Sequence, residues 1–156
     1  MAVATTLRQY LADQEVAYEV TTHQPTITSS MTAESSHVSG DCVAKAVIVK
    51  DEDRFMMAVL PASHHVKLGD LSNVLGRTVH LATEDEASKL FPDCSFGAIP
   101  ALGPAYGVDM VVDDSLAKQP EVYFEGGDHT SLVQVSAEQF FWLAQKAAHG
   151  HFSTHD

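Results

Sequence analysis

Cations are scarce in this chain. Its 156 residues hold nine Lys and Arg against 21 Asp and Glu, a formal net charge of −12. Proteins that grip a long stretch of phosphate backbone present a basic face. The composition therefore excludes a large nucleic-acid footprint, and DNA binding with it; limited contact with a nucleic-acid end stays open. Cysteine is scarcer still: Cys42 and Cys94 stand apart, with no CxxC. Two such residues make no disulfide framework and read as free thiols, small buried hydrophobes in a reducing compartment. No apolar run approaches the roughly 20 residues that span a bilayer. The opening MAVATTLRQYLADQ lacks a basic start followed by an apolar core, so it does not read as a secretory signal, and a cytoplasmic location is expected. There is no P-loop, no GxGxxG after a strand, no GxSxG and no HExxH spacing among the histidines. Neither a cofactor nor a metal is expected.

What is present is an ordinary globular composition, 45% hydrophobic and 19% charged. Residues 1–156 read as one α/β domain, because short strand-like and helix-like stretches alternate along the chain. Thr5 or Thr6 is placed to cap a first helix with Leu7, Tyr10 and Leu11 on one face. Val16, Tyr18 and Val20 alternate as in a half-buried strand. After a polar stretch, a short helix is expected over about Thr32 to Val38, ended near Gly40. Val43 to Val49 reads as a buried strand, and Asp51-Glu52-Asp53 as the turn of a hairpin returning through Phe55 to Leu60. Pro61 stops that return strand.

Further on, a helix is expected from about Lys67 to Leu75, with Gly76 at its end, then a short strand at Thr78 to Ala82. Capping-box pairs at Thr83/Glu86 and Ser136/Gln139 open two more helices. Between them lie a Gly- and Pro-rich loop from Cys94 to Gly107 and strands at Val108 to Val112, Val122 to Phe124 and Leu132 to Val135. His149 to Asp156 reads as a flexible tail.

Three features carry possible chemistry. Lys45 sits within VAKAVIV and shares a strand face with Val43, Val47 and Val49. Lost hydration disfavours its charged form, which suits a proton-transfer group, a nucleophile or a positioned donor; a snorkelling stem is the structural alternative. The loop Gly97-Ala98-Ile99-Pro100-Ala101 combines close backbone approach with rigidity, which suits a carbonyl or an oxyanion. A purely structural loop explains the same residues. In Glu125-Gly126-Gly127-Asp128-His129 the Gly-Gly pair is first a turn signal, and Asp128 and His129 are candidates to orient a substrate or relay a proton. A solvated turn is the alternative there.

In this order, from about Ala17 to Leu143, the segments VAKAVIVKDE, AVLPASHHVKLGDLSNVLG, LATEDEASKLFPDCSFGAIPALG, VDMVVDDSL and YFEGGDHTSLVQVS resemble the YbaK/aminoacyl-tRNA synthetase-associated domain family. The resemblance implies a mixed, mostly antiparallel sheet with flanking helices. It implies hydrolysis of mischarged aminoacyl-tRNA, by free-standing proteins or by the editing insertion of prolyl-tRNA synthetases. The family's strand lysine matches Lys45, and its G-x-x-P-P loop matches Gly97 to Ala101, with Ala101 replacing the second proline. Its small-residue turn matches Gly126 and Gly127, and its histidine before the first polar loop matches His23.

The implied reaction is ester hydrolysis at the 3′-terminal adenosine of a tRNA carrying a small amino acid, of the Ala, Ser, Cys or Pro class. Lys45 would hold the terminal nucleotide or water and steady charge, and the amide of Gly97 and its neighbours would face the ester carbonyl. His23, Ala98, Ile99, Pro100, Ala101, Gly126, Gly127, Asp128 and His129 would bind substrate. The expected partner is the acceptor end of aminoacyl-tRNA, with an aminoacyl-tRNA synthetase as a second candidate. The competing reading is a small-ligand or nucleotide-binding regulatory module on the same fold, which the acidic charge and Ala101 favour.

Overall fold

The computed structural model describes residues 3–26, 28–52 and 54–156. Helix α1 (Thr5–Asp13) buries Leu7 and Leu11 completely, as their spacing requires. Its cap is not a threonine side chain. Ala4 is the capping residue and makes no side-chain bond, and the Thr6 amide instead donates to Asp93 Oδ2 at 2.7 Å. A carboxylate brought in by the tertiary fold does what the local sequence leaves undone.

Strand β1 (Glu19–Thr22) is shorter than the Val16–Val20 alternation suggests, and all four of its residues are exposed. Val16 is buried just before it, while Val20 points outward on what proves to be a sheet edge. Helix α2 (Ser29–Ser35) starts earlier than expected, because the Thr28 hydroxyl accepts from the Met31 amide at 3.1 Å. It ends before His37, whose φ of +59° cannot continue a right-handed helix.

Strands β2 (Val43–Asp51) and β3 (Arg54–Pro61) form the expected hairpin, in register from Ala44↔Pro61 to Asp51↔Arg54. Of its turn, Asp53 lies outside the described residues. Strand β4 (His64–Val66) follows, then α3 (Leu68–Leu75), closed by Gly76 as expected, and the two-residue strand β5 (His80–Leu81). Helix α4 (Glu84–Lys89) and the later α5 (Ala137–Leu143) both carry their full capping boxes. Between these helices run β6 (Asp109–Asp113), β7 (Glu121–Glu125) and β8 (Ser131–Ser136). Strands β9 (Ala148–Gly150) and β10 (Ser153–His155) complete the order.

The main sheet runs β1-β8-β7-β2-β3-β6-β9, with β5 added beside β2, and β4 pairs with β10 in a small second sheet. Within the main sheet four pairings are antiparallel and three are parallel, the mixed architecture expected. Its two faces bury separate clusters. Ala44 and Ile48 of β2 turn toward Leu7, Phe91, Phe124 and Phe140. Val47 and Val49 turn to the other face, with Leu71 of α3 and Phe152. By the two-residue strand period Lys45 belongs to this second face.

The expected loose tail is built into the fold. His149 lies within β9, which pairs with β6, and β10 pairs with β4. Phe152, fully buried, is the anchor, and its amide donates to the buried Asp113 carboxylate at 2.9 Å. A tail that is polar at every other position is held by one aromatic side chain and two strand ladders.

Candidate active site

The site begins where two strands part. β7 runs parallel to β2 only at Val43↔Tyr123 and Ala44↔Phe124, and β5 takes the same edge at Val49 and Lys50. Between these pairings Ala46 has no strand beside it. The Ile48 carbonyl accepts from the Ala82 amide on this edge, so the two-residue period lays the Ala46 amide and carbonyl along it too. A cavity of about 60 Å³ opens there, against Val43 and Ala46. Gly97 and Ile99 form one wall, Glu125 and His129 another, and Thr26, Thr28 and Thr32 close it. That is room for about two waters at roughly 30 Å³ each. A roomier groove of about 440 Å³ beside Tyr10 and Trp142 contains none of the sequence-predicted residues.

The glycine-proline loop and the Gly-Gly turn are stitched together. The Ser95 amide donates to the Gly127 carbonyl at 2.7 Å, and the Ala98 amide returns to Ser95 at 2.9 Å. His129 donates from Nε2 to the Phe96 carbonyl at 2.7 Å, leaving Nδ1 as an acceptor in the neutral ring. Gly97, at φ +81°, sits under that ring, and the His129 Cε1 would lie 3.7 Å from any Cβ placed on it. Gly127, at φ +110°, has no room for a Cβ, which would fall 2.9 Å from the Ala4 Cβ and 3.1 Å from the Cys94 sulfur.

The turn uses its two carboxylates differently. Asp128 accepts from the amides of Thr130 at 3.0 Å and Ser131 at 2.7 Å, and from the Ser131 hydroxyl at 2.9 Å. Burial pushes its pKa up, and these bonds more than offset it, so the carboxyl lies below its usual range. Asp128 thereby shapes the turn. Glu125 uses Oε1 to accept from the amides of Gly127 at 3.2 Å and His129 at 3.1 Å. Here burial wins over those bonds and holds the Glu125 carboxyl above its usual range.

His23 is buried behind the turn. Its amide donates to the Thr130 carbonyl at 2.8 Å and its Nδ1 to the Gln24 carbonyl at 2.7 Å. Its Nε2 has no partner among the described residues.

The structure thus brings Gly97, Ile99 and His129 to one cavity. Ala98, Pro100 and Ala101 alternate away from it into the interior, and Gly126 and Gly127 are buried in the turn that shapes it. Lys45 stands apart, half-buried on the other face of β2, where its Nζ donates to the His64 carbonyl. Burial lowers its pKa, and the nearby Asp156 partly restores it.

Sequence reasoning gave no role to Glu125, Ala46 or the three threonines. Nothing local in the sequence marked them.

With this arrangement in view, the chain is assigned: it belongs to the aminoacyl-tRNA editing domain family, whose model matches residues 23–141. Solved structures share its fold. A hypothetical protein superposes with a TM-score of 0.83 at 22% identity, over 96% of this chain and 99% of the other. A candidate trans-editing enzyme for prolyl tRNA synthetase gives 0.80 at 18% identity, over 98% and 99%. A candidate signal transduction protein from Marinobacter aquaeolei VT8 gives 0.75 at 22% identity, where 96% of this chain covers 30% of that one. A search of curated proteins found no match.

Proposed function

We propose that the protein is a trans-editing deacylase that removes a small, wrongly attached amino acid from the 3′-terminal adenosine of a tRNA. The observation that carries this reading is the cavity of about 60 Å³ at the splayed β2–β7 edge. Its size suits the side chain of Ala, Ser, Cys or Pro and excludes larger ones sterically. Exclusion of this kind discriminates better than added contacts, since one methylene in an apolar pocket is worth only about 1–3 kcal/mol.

The ester is already activated, so the protein has to position it and steady the developing negative charge. The amide of Gly97, on its pinned loop, and the edge amide of Ala46, beside which no strand lies among the described residues, are the donors for the ester oxygen. Water attacks the carbonyl carbon, and the ribose oxygen leaves with a proton. Lys45, on the other face of β2 from the cavity, donates one N–H to the His64 carbonyl and keeps two for the terminal nucleotide. The scarce cations fit contact with the acceptor end alone, since Lys50, Arg54 and Arg77 are already paired with Glu86, Asp109 and Asp51. A synthetase that delivers the charged tRNA, and action in the cytoplasm, go with this reading.

The test is deacylation of a panel of tRNAs carrying Ala, Ser, Cys and Pro, matched and mismatched, by the parent and Lys45→Ala. Release from one pair that falls about 10-fold or more in the variant is expected, the scale for losing a charge-assisted hydrogen bond to the terminal nucleotide. Full activity in Lys45→Ala removes its role. No release from any pair by the folded parent overturns the deacylase in favour of a binding module.

A further inference from the structure

The walls of the small cavity offer hydrogen-bond acceptors. Thr32 donates its hydroxyl proton to the Thr28 carbonyl at 3.1 Å. The 2.5 Å contact between Thr26 and Thr32 therefore has Thr26 as donor. Thr28 accepts from the Met31 amide. With their own protons committed, Thr26 and Thr32 present lone pairs, and both are buried. Glu125 joins them. Its Oε1 is held by two amides, and Oε2 makes no hydrogen bond among the described residues. Among the described residues, none of its hydrogen bonds or ion pairs comes from a Lys or Arg.

A half-buried carboxylate with no Lys or Arg partner, and only the titratable rings of His129 and His23 near it, in an acceptor-lined cavity of about 60 Å³, is an incomplete arrangement. Buried charges are paired in stable structures. The missing group must be small, positively charged and rich in donors, which describes an amino acid's α-ammonium, with three N–H bonds in Ala, Ser or Cys and two in Pro.

We propose that Glu125 Oε2, with the lone pairs of Thr26 and Thr32, is the subsite for the α-ammonium of the aminoacyl group. This rests on the deacylase reading and deepens it: the substrate class is esters of amino acids with a free amine, and N-acylated esters are refused. Refusal has two causes. An acylated nitrogen carries no charge for Glu125, and its acyl group has no room beside the side chain. Gly97 and the threonines line the same cavity, so one residue's two ends would be read by opposite chemistry. Donors meet the ester oxygen and acceptors meet the amine.

The test uses the full chain and stable 3′-amino-3′-deoxyadenosine amides, in which an amide replaces the ester. Calorimetry compares the alanyl ligand with its propionyl partner, which lacks only the amine, and with N-acetylalanyl. The parent is expected to prefer alanyl by roughly 10- to 100-fold, the range for a hydrogen bond to a charged group. Glu125→Gln keeps an oxygen for the Gly127 and His129 amides and is expected to lose that preference. Equal binding of alanyl and propionyl by the parent overturns the subsite, as does the absence of binding by either ligand. A preference that survives intact in Glu125→Gln overturns the assignment to Glu125. Should that variant not fold, the parent's ligand comparison decides alone. Deacylation of alanyl- and N-acetylalanyl-tRNA at equal rates removes the subsite and leaves the deacylase standing. Alanyl preference in binding with no hydrolysis of any charged tRNA does the reverse.

Discussion

His129 donates its Nε2 proton to the Phe96 carbonyl across 2.7 Å, and this one bond pins the glycine-proline loop to the Gly-Gly turn. The two segments are 33 residues apart in the chain. Gly97 and Glu125 line the same cavity beside that bond.

Removing that ring should therefore cost activity before it costs stability. His129 sits at φ +64°, so Asn is the better-tolerated replacement. His129→Asn is expected to stay folded and to lose about 10- to 100-fold in kcat/KM, the scale of a misplaced positioning group. Circular dichroism and single-turnover deacylation check both halves; unchanged kinetics would show that the loop holds its shape unaided.

Gly127→Ala should instead damage the fold. The new Cβ meets Ala4 at 2.9 Å and Cys94 at 3.1 Å, and the backbone stays at φ +110°. Strain and overpacking together are expected to cost about 2–4 kcal/mol. Thermal unfolding measures this, and a melting temperature equal to the parent's would mean that α1 shifts to make room.

Phe152→Ala tests the ordered C-terminal segment. Emptying a fully buried phenylalanine site is expected to cost about 3–5 kcal/mol. Hydrogen exchange at the Lys67 amide, which donates to the Phe152 carbonyl, should rise with it, since β10 would lose its hold on β4. A change within error in both measurements would return this segment to a loose tail.

Glu125 also sets a pH dependence. Its folded-state carboxyl lies above the ordinary 4.5 because of burial. A raised acid stabilises the folded state least when both states are ionised. The penalty is therefore present at neutral pH and disappears as pH falls below the unfolded value. Without ligand, Glu125→Gln should melt higher than the parent at pH 7, and the difference should shrink toward pH 4. A variant less stable than the parent at pH 7 contradicts this sign.

Much of the fold was legible because its signals are local. The capping boxes at Thr83 and Ser136 and the hairpin from Val43 to Pro61 are written in residues a few positions apart. The turns at Gly76 and at Gly126-Gly127 are equally local. Where a distant group intervened, the reading failed. The cap of α1 comes from Asp93, and the last strands depend on Phe152 reaching Asp113.

The candidate site divides in the same way. The loop at Gly97 and the turn at Gly127 declared themselves through residue types that special backbone geometry demands. Lys45 was conspicuous for its apolar strand. Nothing local shows that Ala98 and Ala101 face inward while Gly97 and Ile99 face the cavity. Nothing local separates Glu125, with its unpaired oxygen, from Asp128, whose carboxylate is fully engaged in the turn. Family membership and the candidate reactive segments were in the amino-acid order itself, because backbone requirements and hydrophobic period act over a few residues. The cavity's size and its acceptor lining were decided by tertiary structure. They arise where β2 and β7 diverge and where groups about 100 residues apart in the chain, Thr26 and Glu125, are brought to one space.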